Sequence, residues 1–441
     1  MMNAVLSNLN HPEYGVATIP FPIPHDQYAY CMELLGALEI GDAVKADCKV
    51  EKINSFYDVL KRTEMLTVNV EELNYLAKRI DSFDTGEAAQ FQTMAHKLEL
   101  FELKDLINLT FSCQEATVIS DFSDLAAVGR DHYMNLHGGC TKTEELDALD
   151  GEATARTLIA SGSGTVTPYG VVYDNGMQLK PIYDGQFFPC YYYAPNTITV
   201  AVTSKSEPED TEHITWLYLP MVQEEIDRAL QRAGITDPAD TRLRLEDSQL
   251  PKKVDVLLDM EQERLADLNA LAQATAGMSD DSLKKLGAVV GLAKPQNAAQ
   301  IKNLVENLDL FDLATGVHTP EPWRNESRDE MLRLTLHTNH HPDYLLVLPA
   351  DEEYLTDVKK YLGIDDFAQA QIHAQRLSAL PLNGRDALQC TPHQIAHFRR
   401  APEAEHNDGR QLGFQIPAED SGRAEIHHKQ QHHLGHDPDN L

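Results

Sequence analysis

The chain has 441 residues, 42% of them hydrophobic, and carries 69 Asp and Glu against 37 Lys and Arg, a net charge of −32. That is length for roughly two to four domains with real cores, and a surface that repels nucleic acid and anionic membrane while also serving plain solubility. No stretch approaches the roughly 20 apolar residues of a membrane span, and no basic segment followed by an apolar one opens the chain, so a cytoplasmic protein is expected. Cys31, Cys48, Cys113, Cys140, Cys190 and Cys390 form no CxxC pair, which favours reduced thiols over disulfides or a zinc site.

Residues before Gly15 read as a short irregular lead. A unit follows over 15–53, containing FPIPHDQYAYCMELLGALEIGDAVKADCKVEKI from Phe21. A helical region comes next, with Val70, Leu73, Leu76, Ala77 and Ile80 on one apolar stripe and further helices over 87–98 and 103–109. Residues 138–195 differ in character. Ser161-Gly162-Ser163-Gly164 lacks the GK[ST] of a phosphate loop. Asp174-Asn175-Gly176 is a hairpin signal, and Asp184-Gly185 marks another turn. Phe187, Phe188, Tyr191, Tyr192 and Tyr193 read as a buried sheet face rather than a stacking surface for bases.

The unit of 15–53 recurs more clearly at WLYLPMVQEEIDRALQRAGITDPADTRLRLEDSQLP, residues 216–251. The apolar run 216–219 reads as a strand that Pro220 stops. Glu224 and Glu225 suit the positive end of a helix dipole, and Ile226, Ala229, Leu230 and Ala233 recur at helical spacing. Gly234 stands where a helix ends in a left-handed residue. A second strand is expected over 241–245. The helical region after it matches the earlier one: Leu268-Asn269-Ala270-Leu271-Ala272 pairs with Leu73-Asn74-Tyr75-Leu76-Ala77, and Ile301-Lys302-Asn303-Leu304 with Leu106-Ile107-Asn108-Leu109. Asn108 and Asn303 read as buried amides that bond helix-end backbone groups. A third copy, 344–381, has only the first unit, with Leu355, Val358 and Leu362 on its helix stripe and Gly363 at its end. From about Asn383 the chain turns polar and is expected to be disordered.

The expected architecture is α+β, an elongated multidomain chain of small strand–helix–strand units, each followed by a helical bundle, with a β-rich insert. The divisions are a first copy at 1–137, the connecting segment at 138–195, a second copy at 196–325, a partial third unit at 326–382 and a tail at 383–441.

No catalytic motif emerges. There is no GxSxG elbow, and His337, His340 and His341 lack an HExxH arrangement. His427, His428, His432, His433 and His436 read as incidental metal affinity of a polar tail, so no metal or cofactor is expected. Repeated carboxylates remain as the partner-binding candidates. They are Glu71, Glu72, Asp81, Asp84 and Glu87 in the first copy; Glu224, Glu225, Asp227, Asp237, Asp240, Glu246, Asp247, Asp255, Asp259, Glu261 and Glu263 in the second; and Asp351, Glu352 and Glu353 in the third. Duplex DNA carries a charge every 1.7 Å or so of its axis, and carboxylates on a repeated scaffold can occupy a DNA-binding channel in its place. Interleaved Lys and Arg break the acidic stripe, and ordinary solvated helix faces give the same pattern.

The segments WLYLPMVQEEIDRALQRAGI, VEELNYLAKRIDSF and IKNLVENLDLFDLATGVH, with ELKDLINLT and DLAAVGRDHY, resemble the ArdA-type antirestriction proteins of mobile elements. The resemblance implies elongated, acidic, non-enzymatic proteins that imitate bent duplex DNA and occupy type I restriction–modification enzymes. This chain departs from it in its length, its tandem copies and its insert. The expected function is therefore a DNA-mimic inhibitor of a restriction–modification enzyme in a bacterial cell. The alternatives are inhibition of a CRISPR effector and a non-enzymatic repeat scaffold. Direct binding to nucleic acid or membrane is not expected, and a monomer with an internal pseudo-dimer is favoured over a homodimer.

Overall fold

The computed structural model describes residues 2–139, 141–206, 213–293 and 295–308, and the strands at 312–315, 331–335 and 344–349. The chain is α+β, and its described sheets are antiparallel.

The stretch expected to be an irregular lead is instead the inner strand of the first sheet. β1 (Met2–Asn8) lies between β2 (Val16–Phe21) and β3 (Cys48–Asn54), and β4 (Thr67–Val68) closes the order β2-β1-β3-β4. Its side chains alternate in burial, with Met2, Ala4 and Leu6 in the core. Small Ala4 at an inward position and apolar Val5 at a half-exposed one hide that alternation from a hydropathy reading. Between β2 and β3 runs α1 (Tyr28–Ala37), so the unit holds one strand more than the sequence reading gave it.

Three helices complete the first core: α2 (Val70–Asp81), α3 (Thr85–Lys97) and α4 (Leu103–Leu109). The stripe Val70, Leu73, Leu76, Ala77 and Ile80 is buried as its spacing requires. Asn69 caps α2 by accepting from the Glu71 and Glu72 amides. Asp84 and Glu87 form a capping box on α3.

β5 (Thr117–Ile119), α5 (Leu125–Leu136), α6 (Thr143–Ala148), α7 (Gly151–Ala160), β6 (Thr165–Thr167) and β7 (Gly170–Tyr173) follow. β7 is flanked by β5 and β6, so the division expected between 137 and 138 runs through one sheet. The β6–β7 connection is made at Pro168 and Tyr169. Asp174-Asn175-Gly176 is a turn, with φ of 53° at Asn175 and 80° at Gly176, but no strand returns from it. The Asn175 amide donates to the Glu115 carbonyl (2.8 Å) and to Thr117 Oγ1 (2.9 Å), which pins the chain as it leaves the sheet.

The second sheet has the same local plan. β8 (Ile198–Ser204) lies between β9 (Thr215–Leu219) and β10 (Thr241–Ser248), with α8 (Gln223–Arg232) between β9 and β10 in the chain. Gly234 takes the left-handed conformation expected of it (φ 77°), and the Ile235 amide reaches back to the Leu230 carbonyl. At the end of α1, Glu39 holds the corresponding position (φ 55°), with Ile40 bonded back to Leu35. Then come α9 (Lys252–Asp255), α10 (Leu265–Thr275), α11 (Asp280–Ala293) and α12 (Ala298–Glu306). The paired asparagines have matching roles. Asn74 on α2 accepts from the Ile23 amide (2.9 Å), and Asn269 on α10 accepts from the Met221 amide (2.9 Å), just after the proline that ends β2 or β9.

After α12 the described residues form a further antiparallel sheet. β11 (Asp312–Thr315) pairs with β13 (Tyr344–Pro349), which also pairs with β12 (Met331–Thr335). β13 is the strand expected to open the third copy. The rest of that copy, with Asp351, Glu352 and Glu353, and the His-rich tail lie outside the described residues.

Candidate functional site

The chemistry concentrates where α2, α8 and the aromatic segment after β7 meet. Two arginines one turn apart on α8 reach into the first copy. Arg228 Nε lies 2.6 Å from Glu71 Oε1, with both side chains largely buried. Tyr28 donates its hydroxyl to the same carboxylate at 2.8 Å. Burial, with Glu71 adding to it, pushes the Tyr28 hydroxyl far above the usual tyrosine range.

Arg232 is 6% exposed and places all five of its N–H groups. Nε donates to the Gln186 carbonyl (2.7 Å), and Nη1 to the Ala43 carbonyl (3.0 Å) and Asn69 Oδ1 (3.1 Å). Nη2 donates to the Gly185 carbonyl (3.0 Å) and to the Tyr183 hydroxyl, which itself donates to Glu72 (2.8 Å). The Glu72 carboxylate is 3.7 Å from Arg232, so the buried charge is both paired and hydrogen-bonded.

The aromatic run over 187–193 is not a sheet face, because no strand forms between 174 and 197. Tyr75, Phe188 and Tyr183 stack instead, with centroids 4.6 and 5.1 Å apart and planes 10° and 11° from parallel. The Arg79 guanidinium lies over Phe111 (4.2 Å) and Tyr191 (4.4 Å), and that of Arg232 over Phe188 (4.5 Å). Tyr191 donates to Ser82 (2.6 Å), and Tyr193 to Asp81 (2.7 Å). Asn108 anchors the segment further upstream by exchanging hydrogen bonds with the Tyr183 backbone (2.7 and 3.0 Å). Its partner is a loop rather than the helix end expected from the sequence.

These elements line a half-open cavity of about 830 Å³. Tyr28, Tyr75, Tyr191, Tyr193, Trp216 and Tyr218 are among its aromatic lining, and Glu71, Asp81, Glu225, Lys78, Arg228 and Arg232 supply three carboxylates and three cations. That volume is in the range of ligand sites.

Many of the carboxylates read from the sequence are engaged within the chain. Glu71 and Glu72 hold the arginines, Asp81 accepts from Tyr193, and Glu225 faces Lys78 at 3.6 Å. Asp84, Glu87 and Asp237 cap helical turns, Asp240 accepts from Ser204 and Ser206, and Asp259 from Gln262 and the Glu261 amide. Glu263 is buried and accepts from the Ala298 amide at the start of α12. Burial raises its pKa, against that hydrogen bond. Asp255 is half-buried with Oδ1 unpartnered, and burial raises its pKa too. Glu224, Asp227, Glu246, Asp247 and Glu261 remain exposed, Glu246 beside Arg244 and Asp227 beside Gln223.

The sequence reading passed over a denser region. Residues 99–152 hold twelve Asp and Glu against three Lys and Arg. Asp121, Asp124, Asp131, Glu144, Glu145, Asp147, Asp150 and Glu152 are all exposed on or beside α5, α6 and α7. A running charge count finds them without any structure. The spacing of Arg228 and Arg232 was the available signal for the joint.

Among the described residues no group of three or more His, Cys, Asp or Glu could hold a metal, and no helix is long and apolar enough to cross a membrane. Cys31, Cys48 and Cys113 are free and buried, and burial pushes their thiols up, away from the reactive thiolate. The chain matches no protein-family model, no curated protein and no solved structure.

Proposed function

We propose that the protein is a non-enzymatic, cytoplasmic inhibitor that occupies the basic DNA channel of a bacterial restriction–modification enzyme or a related nuclease complex. The observation that carries this reading is uncompensated negative charge. After the internal pairs at the joint are formed, the eight exposed carboxylates on or beside α5 to α7 outnumber the three cations there, Arg130, Lys142 and Arg156, the last paired with Glu152. Close packing of α5 on α7 supports a fixed display of that charge, since a Cβ at Gly129 would fall 1.8 Å from the Gly151 carbonyl oxygen. The resemblance of its segments to ArdA-type proteins agrees with this reading. Contacts between the two copies within one chain support action as a monomer.

The test is DNA cleavage by a type I restriction enzyme, and separately by a CRISPR effector, titrated with the protein. Inhibition is competitive with DNA and weakens as salt is raised from about 0.05 to 0.2 M, because both ligands bind through screened charge. Failure to inhibit either system at molar excess would reject the reading, and inhibition that survives high salt would favour an apolar scaffold.

A further inference from the structure

We propose that the half-open cavity at the joint is a docking groove for an uncharged, proline-rich segment of a partner protein. The inference goes beyond the inhibitor reading and is independent of it. The charges of the lining satisfy one another. Glu71 holds Arg228 at 2.6 Å, Glu225 faces Lys78 at 3.6 Å, Asp81 accepts from Tyr193, and Arg232 donates to the carbonyls of the joint. Three carboxylates meet three cations, so a charged guest of either sign would have to draw a partner out of a pair already made.

Hydrogen-bond donors are left over. Asn74 and Asn269 hold matching positions, but only Asn269 uses its amide N–H, on the Met221 carbonyl (2.9 Å). The Asn74 side chain accepts from the Ile23 amide and donates to no group among the described residues, and it lines the cavity. Trp216 Nε1, in the same lining, likewise meets no acceptor among the described residues. Arg228 Nη2 is a third donor, buried without an acceptor. Rings connect the first two. Trp216 and Tyr218 stand on the face of β9 opposite Leu217 and Leu219, which are in the core. The Tyr218 hydroxyl accepts from the Tyr191 amide (2.6 Å), and the Tyr191 ring lies 6.4 Å from that of Tyr75, the residue after Asn74.

A proline-rich segment in the polyproline II form meets each of these features. Its rings pack on tyrosine and tryptophan, and its carbonyls, free of internal hydrogen bonds, are acceptors. Its prolines bring no N–H that would need an acceptor from the wall. It is already extended, so docking costs little further chain entropy. A cavity of about 830 Å³, open on one side, admits a short stretch of it.

The experiment is calorimetric titration of the full chain with acetyl-Ala-Pro-Pro-Ala-Pro-Pro-Ala-Pro-Pro-Ala-amide and with its counterpart carrying serine for every proline. The expected result is about tenfold tighter binding of the proline peptide, little altered between about 0.05 and 0.5 M salt because the guest is uncharged. Trp216→Phe keeps a ring and removes the N–H, and weakens that binding about fivefold. Trp216→Leu removes the ring as well and brings the preference down to about twofold or less, while circular dichroism shows the fold intact. Equal binding of the two peptides overturns the inference, because the groove then takes any extended chain. Absence of binding by the proline peptide at about 1 mM overturns it too. So does a preference unchanged in both variants, because the groove then lies elsewhere.

Discussion

Asp255 shows how a single acidic residue works against the fold. Its Oδ1 is buried without a partner, and burial, with Asp247 nearby, raises its pKa. A carboxyl whose pKa is raised on folding favours the folded state while it is protonated, below the ordinary carboxylate range. That contribution is lost as pH rises through the folded value. Asp255→Asn removes the titration, so the variant gains stability over the parent as pH rises from about 3 to 7. Urea unfolding midpoints across that range check it, and a constant difference at all pH values rejects it. Glu39 carries a different lesson. It ends α1 at φ 55°, where Gly234 ends α8 at 77°. The glycine advertised its helix end, and the glutamate concealed the matching one.

At the scale of elements, the joint between α8 and α2 is the interaction with most at stake. Its stability depends on Arg232 meeting the Ala43, Gly185 and Gln186 carbonyls and the Asn69 side chain together. Truncation to alanine leaves buried acceptors and the Glu72 carboxylate without their cation, at a cost of about 3–5 kcal/mol. The two hydrophobic cores, one built on residues 2–118 with Val172 and Tyr183 and the other on 198–308, then lose their shared polar lock. The expected outcome for Arg232→Ala is a thermal transition that broadens or splits in two, measured by calorimetry. A transition unchanged in midpoint and shape rejects that role.

For the whole molecule, the question is whether pairing occurs within one chain or between chains. Arg228–Glu71, Arg232–Glu72 and Lys78–Glu225 join the first copy to the second internally. The connection between them is in the same chain and is itself pinned to the first core through Asn108 and Tyr75, so the partners are held in place and a second molecule adds little to such a joint. Sedimentation equilibrium at several concentrations is expected to return the chain mass of 49.3 kDa. A dimer that persists at nanomolar concentration would reject the monomer.

The sequence by itself determined what local burial dictates. Helix α2 follows from Val70, Leu73, Leu76, Ala77 and Ile80, α8 from its acidic first turn and terminal glycine, and β13 from its apolar run before a proline. The negative charge, too, is a property of composition and needs no fold. Tertiary structure alone decided which carboxylates remain outside. Glu71 and Glu225 read as the same kind of exposed helix-start acid, yet one is held by an arginine 157 positions away and the other faces Lys78 across the joint. Structure also decided that Met2–Asn8 is an inner strand and that Phe188, Tyr191 and Tyr193 of the aromatic run line a cavity instead of a sheet face. The physical reason is range. Periodicity reports which face of an element is buried, but a charge, an amide or a ring has no periodic signature for the distant group that satisfies it.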